Sequence, residues 1–382
     1  MPMFKRKVLY LGGFDPRGAR FYHWLASEQV GSGDAEPVTM SARRRIKPPE
    51  AGQGNVGWRT EARDGSFATD TEFLVWDDVV RQHWIKGVWP LLASGARAYV
   101  NFVGQIDWPM SRPIPFGSKF TLFYPGGTMT LVPLLITLLL GSLLWLVMPA
   151  WASYPLAGAA GVAATPFILR RIHSLWLMRF IIFNDLLARN ATGPALEERL
   201  ERFVDRIDAT LDEPEWDEIL FLTHSNGSML AVPIMAALLK RRGGVLPERF
   251  KMVTLGGMIQ LVACRRDSAR FRAELDIIAA ADFRWLDMGS PTDGACIPLI
   301  DPCIGRPASP SGLVQISPRW FRYADPATYN AERRNKYETH FNYLRRLQRP
   351  SPLDYIGITC GNRPLDASIA AFKDENGLAD HD

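Results

Sequence analysis

The stretch FLTHSNGSMLAVPIMAALL, Phe221–Leu239, decides how the chain is read. Together with the residues before it, EILFL is an apolar strand run, THSNGS a tight polar turn, and the remainder a long apolar run of helical character. A strand, a sharp turn and a helix form the setting in which a serine is held up as a nucleophile. The same Ser225 would serve equally as an N-cap, accepting from backbone amides of the first helical turn. The surrounding sequence has to separate the two roles.

On either side of this stretch, short apolar runs alternate with helical sequence. VLYLGG from Val8 reads as a buried strand, followed by the helical RGARFYHWLASEQVG. VGWRTEARDGSFATDTEFLVWDD divides into two strand-like halves around Asp64-Gly65, a hairpin signal. VVRQHWIKGVWPLLASGARAYVNFV then reads as helix. Downstream, KMVTLGG, FRWLDMG and LVQIS are strand runs separated by helical segments such as AVPIMAALLKRR and DSARFRAELDIIAA. Alternation of this kind predicts an α/β fold, a mostly parallel sheet with helices on both faces.

With 382 residues, 47% hydrophobic and 22% charged, the chain is long enough to bury a full core. A net charge of +4 over this length is too small to argue for a nucleic-acid partner. Cys264, Cys296, Cys303 and Cys360 lack CxxC spacing and resemble no disulfide framework, so reduced thiols are expected. No pair of histidines sits at ligand spacing, so neither a metal nor a cofactor is expected. Gly12 and Gly13 in LGGFDP match neither a dinucleotide fingerprint nor a P-loop.

Between Phe120 and Leu169 there is no Asp, Glu, Lys or Arg. That length accommodates two spans of roughly 20 residues across an apolar bilayer core about 30 Å thick. LVPLLITLLLGSLLWLVM, Leu131–Met148, is the stronger span; Trp151–Leu169 is rich in Ala and Gly, residues that suit a helix–helix contact face. Arg112 and Lys119 precede the spans and Arg170, Arg171 and Arg179 follow, while the turn MPAWASYP is uncharged. The positive-inside rule then places both flanks on the cytoplasmic side of an inner membrane. IHSLWLMRFIIFNDLLARN, with Leu175, Leu177, Phe180, Ile181 and Leu186, reads as a helix lying on the bilayer surface or packed on the domain.

A nucleophilic serine requires a base, a group orienting that base, and donors for the developing oxyanion. Of the histidines well downstream of Ser225, His381 lies in the acidic tail, whereas His340 in NKYETHFNYLRRL is followed by Phe341, Tyr343 and Leu344 to anchor it. For the acid, Asp293 in GSPTDGA lies on a Pro/Gly turn just after FRWLDMG; Asp287 within that strand and Asp301 in IDPC are alternatives. Cys296 or Cys360 as a thiol nucleophile lacks a strand-turn-helix setting.

The order Ser225, Asp293, His340, with a strand-turn-helix at the serine, resembles the α/β-hydrolase superfamily. The nucleophile elbow of that family reads G-x-S-x-G; here Thr223 replaces the first glycine, while His224 and Gly227 fit. The resemblance implies oxyanion-hole amides from the early loop GGFDPRG, at Phe14 with Gly13 as alternative, and from Asn226. It further implies a hydrolase-like domain in two parts, 1–119 and 172–373; it does not cover the transmembrane hairpin expected between them over 120–171 or the flexible tail expected over 374–382. The expected function is a membrane-anchored serine hydrolase acting on an ester or thioester, with lipid or acyl substrates suggested by location. The alternative is a catalytically inactive hydrolase-fold membrane protein that binds a partner.

Overall fold

A computed structural model describes residues 2–31, 38–46 and 54–378. Among the described residues nine strands form one sheet: β1 (Phe4–Leu11), β2 (Val38–Met40), β3 (Arg44–Ile46), β4 (Asn55–Ala62), β5 (Phe67–Phe73), β6 (Glu218–His224), β7 (Phe250–Leu255), β8 (Arg284–Met288) and β9 (Gly312–Ile316). Their order is β2-β4-β5-β1-β6-β7-β8-β9, with β3 also paired to β4. From β5 to β9 every pairing is parallel; β2, β3 and β5 each pair antiparallel with β4.

The inner parallel strands carry the apolar runs VLYL, ILFL and MVTL because both their faces are covered. Successive side chains point to opposite faces, so Leu9, Leu11, Ile219, Phe221 and Trp285 enter one core while Val8, Tyr10, Leu220, Leu222 and Leu286 enter the other. The first core is closed by helices Val88–Gln105, Ser174–Ala188, Pro194–Leu211, Gly227–Arg241 and Ala269–Ala279. The second is closed by helix Gly18–Gly31 and by C-terminal helices that include Leu365–Asn376. The α/β architecture with helices on both faces is therefore as expected.

The Asp64-Gly65 turn joins β4 to β5 antiparallel, with Gly65 at φ +73°. Two local readings need correction. The helical run after Trp76 is broken into Asp77–His83 and Val88–Gln105, because Gly87 is extended and Pro90 occupies the first turn of the second helix. The segment Ser174–Ala188 follows the second of its two readings and packs on the domain, with Leu177, Met178, Phe180, Ile181 and Phe183 buried. The last helix runs to Asn376, into the segment expected as a tail; residues 379–382, His381 among them, lie outside the described residues.

Between the two halves stand helices Phe116–Leu144 and Ala150–Arg171, both long and apolar enough to cross a membrane. At about 1.5 Å per residue they extend roughly 43 and 33 Å. The first begins against the domain, where Tyr99 donates to the Leu122 carbonyl at 3.1 Å and Ser118 to the Cys296 carbonyl at 2.7 Å. Farther along it stands clear, leaving Leu139 73% exposed and, on the second helix, Phe167 74%. The two helices pack together through Ser153, Ala157, Gly161 and Thr165, small residues buried at intervals of one turn. A Cβ added at Gly161 would lie 2.8 Å from the Pro133 carbonyl oxygen.

Candidate active site

β1 lies between β5 on one side and β6 on the other, so the connections leaving the carboxyl ends of β1 and β6 diverge and open a crevice there. Two loops meet in it. The loop after β1 is held by Trp76, whose indole donates to the Gly12 carbonyl at 3.0 Å, and by Phe14, whose buried ring stacks on Phe183 at 4.7 Å. Opposite it stands the turn after β6.

That turn places Ser225 at φ +56°, a left-handed conformation that costs a non-glycine residue on the order of 1–3 kcal/mol. The surroundings impose it: the Ser225 amide donates to the Leu255 carbonyl at 2.9 Å, and its own carbonyl accepts from the Ser228 amide at 3.0 Å. Gly13 touches the serine so closely that a Cβ there would come within 2.9 Å of Ser225 Cβ. Gly227 passes under β1, where any side chain would run into the Leu11 carbonyl. Asn226, not Ser225, occupies the N-cap of the following helix. Thr223, the departure from glycine, fits without strain, its hydroxyl lying 3.2 Å from that of Ser228 and 3.4 Å from the Val253 carbonyl.

His340 and Asp293 meet although 47 residues separate them, with Nδ1 of the imidazole 2.8 Å from Asp293 Oδ2. A carboxylate only accepts, so Nδ1 carries the hydrogen and Nε2 presents its lone pair. Asp293 Oδ1 accepts from the Ala295 amide at 2.8 Å, and Tyr343 accepts from the Ser290 amide at 2.8 Å, which fixes the acid's loop. Asp293 thus forms a turn and orients the histidine at once. The alternatives are engaged elsewhere: Asp287 accepts from Thr254 at 2.6 Å and Asp301 from Ser309. Burial pushes Asp287 up to about 6.

His340 reaches the crevice from a short helix, Lys336–His340, after two further helices have followed β9, rather than directly from a strand end. Its Nε2 is buried and has no partner among the described residues. Buried polar atoms in folded proteins are nearly always satisfied, so a free Nε2 marks a position held open for another group. Ser225 and His340 both line one cavity of about 360 Å³, together with Gly13, Phe14 and Trp84.

The amides of Phe14 and Asn226 donate to no other group among the described residues, whereas that of Gly13 faces the Tyr22 hydroxyl. Two features were not anticipated from the sequence. His224 donates from Nε2 to the His340 carbonyl at 3.0 Å, and its ring lies 4.9 Å from that of His340. Burial, followed by the neighbouring His340, lowers His224 to about 3. Trp176 and Tyr337 supply aromatic walls, Trp176 lying 6.2 Å from the His340 ring. Only the position of His224 inside the elbow signalled the first; nothing in the sequence signalled the second.

All four cysteines are free. Burial pushes the thiols of Cys296 and Cys360 up, which opposes formation of a nucleophilic thiolate. Comparison with known proteins finds no matching family model, no matching curated protein and no matching solved structure.

Proposed function

We propose that the chain is a serine hydrolase of α/β-hydrolase type that cleaves an ester or thioester and is anchored in an inner membrane by its two apolar helices. The observation that carries this reading is the strained Ser225, sharing a cavity with the unpartnered Nε2 of a histidine whose Nδ1 is bound to a buried carboxylate. Strain of this kind concentrates at functional sites. A serine kept only for a turn gains nothing from such neighbours.

In this mechanism His340 Nε2 takes the Ser225 hydroxyl proton as Oγ bonds to the substrate carbonyl carbon. The oxyanion accepts from the Phe14 and Asn226 amides. The carbon–oxygen or carbon–sulfur bond then breaks, and the leaving alcohol or thiol receives the proton from His340. Water, deprotonated by the same nitrogen, attacks the acyl-serine; Ser225 departs with its proton restored and the carboxylic acid is released. Asp293 holds the imidazole in the required tautomer throughout. Because Thr223 is accommodated by Ser228 and Val253, its departure from the family pattern gives no support to an inactive, partner-binding protein.

The membrane reading rests on two helices whose apolar side chains face outward and on the arginines at their domain ends, Arg170 and Arg171. Both connections to the α/β domain are then cytoplasmic. Labelling of the detergent-solubilised chain with a fluorophosphonate tests the catalytic part. The wild type is expected to label and Ser225→Ala and His340→Ala are not; equal labelling of Ser225→Ala, or none of folded wild type, overturns the assignment.

A further inference from the structure

A second cavity, of about 990 Å³, lies where the first membrane-type helix leaves the domain. It is at the upper end of the roughly 300–1,000 Å³ found for small-molecule pockets. Its walls are mostly apolar and come from four places: Phe120, Thr121 and Tyr124 of the helix Phe116–Leu144, Trp176 and Leu177 after the hairpin, Pro298 beyond the acid's loop, and Ala331 and Tyr337 ahead of His340. Phe120 on this wall is 59% exposed, so the mouth lies at the start of the apolar helices. Arg334 and Lys336 stand on the opposite rim.

This cavity adjoins the candidate active site. His173, Trp176 and Tyr337 line both, and form the partition between them: His173 stacks on Tyr337 at 6.1 Å and Trp176 meets the same ring edge-on at 5.8 Å. Asp293 reaches the large cavity from one side while binding His340 on the other.

We infer that the large cavity binds the long acyl chain of a bilayer lipid, with the chain rounding the wall of Trp176 and Tyr337 that the two cavities share so that its ester carbonyl lies at Ser225. This deepens the hydrolase reading and rests on it for the placement of the carbonyl. An apolar chain partitions to the bilayer and not to water, so a pocket that accepts it gains by opening at the foot of a membrane hairpin. The cationic rim, Arg334 and Lys336, suits an anionic headgroup left at the interface. The small cavity alone holds the reacting carbonyl and the triad side chains; the large one supplies the room for the chain.

The test uses the full chain in lipid nanodiscs. Ser225→Ala protein is irradiated with a phospholipid carrying a diazirine in one sixteen-carbon chain, and the adducts are mapped by peptide mass spectrometry. Adducts within 291–300 and 331–337 are expected; adducts confined to 131–143 overturn the inference whether or not the chain is a hydrolase. In parallel, sixteen-carbon and four-carbon 4-nitrophenyl esters are compared. A Cβ at Gly117 meets nothing within 4 Å and Ala331 is exposed, so Gly117→Trp and Ala331→Trp obstruct the cavity from two walls without crowding the core. Each should lower the ratio of long-chain to short-chain turnover by about tenfold or more. An unchanged ratio in both variants overturns the inference, whereas absence of any wild-type turnover or fluorophosphonate labelling removes the hydrolase reading and leaves the adduct map to decide the cavity.

Discussion

Ser225 is held in its left-handed conformation by the Leu255 and Ser228 hydrogen bonds, and its neighbours place three different demands on single residues. Asp293 has to orient His340, since its Oδ2 is the partner of Nδ1. Asp293→Asn keeps the shape but permits the wrong tautomer, so kcat on a chromogenic ester should fall on the order of 10⁴-fold with the melting temperature little changed. Loss of less than about tenfold would remove Asp293 from the mechanism. His224 makes a separate demand. Its folded value of about 3 lies below the ordinary 6.5, so the unfolded chain binds the extra proton and stability falls as pH drops from about 6.5 toward 3. Asp287 acts in the opposite sense: raised to about 6, it adds stability as pH falls from about 6 toward its ordinary 3.8. The informative quantity is therefore the difference between wild type and His224→Gln. Thermal midpoints at pH 7 and pH 5 should show a smaller acid-induced drop in the variant, and equal drops would contradict the burial of a neutral His224.

At the scale of elements, the runs EILFL, KMVTLGG and FRWLDMG were legible because strands covered on both faces leave largely apolar sequence, and the half-buried edge strand LVQIS because Gln315 alone interrupts its apolar residues. The elbow was legible for a local reason too: a strand, a serine and Gly227 adjoin in sequence. Strands β2 and β3, VTM and RRI, escaped because three half-exposed residues at a sheet edge carry no periodic signal. The His340–Asp293 pairing was legible as an order of residues, yet the Tyr343 and His224 contacts that fix it depend on long-range packing no spacing reveals. The hairpin shows the same division: its apolar length and the small residues of its contact face are written in the sequence, the groups those residues meet only in the paired helices. Since the Pro133 carbonyl approaches Gly161 so closely, Gly161→Leu should separate the helices and destabilise the chain by about 1–3 kcal/mol. A lowered thermal midpoint in detergent is the expected sign, and Val162→Leu, on the exposed side of the same helix, should leave it unchanged.

For the whole molecule, the hairpin enters and leaves the α/β domain at one end, between Phe116 and Arg171, and the large cavity opens beside that end. If these helices cross a bilayer, the domain and both flanks share one side and the turn around Pro149 faces the other. On the proposed reading the flanking charges would put the domain in the cytoplasm. This is measurable with single cysteines, because Cys264, Cys296 and Cys303 are buried and Cys360 is partly covered. With Cys360 replaced by Ser, Pro149→Cys should react with a membrane-impermeant maleimide in intact cells, whereas Arg112→Cys should react only after the membrane is opened. Reaction of Arg112→Cys with protection of Pro149→Cys in intact cells would reverse the orientation. Protection of both until the membrane is opened would mean a hairpin that does not cross, and the lipid chain would then have to reach Ser225 from the membrane surface.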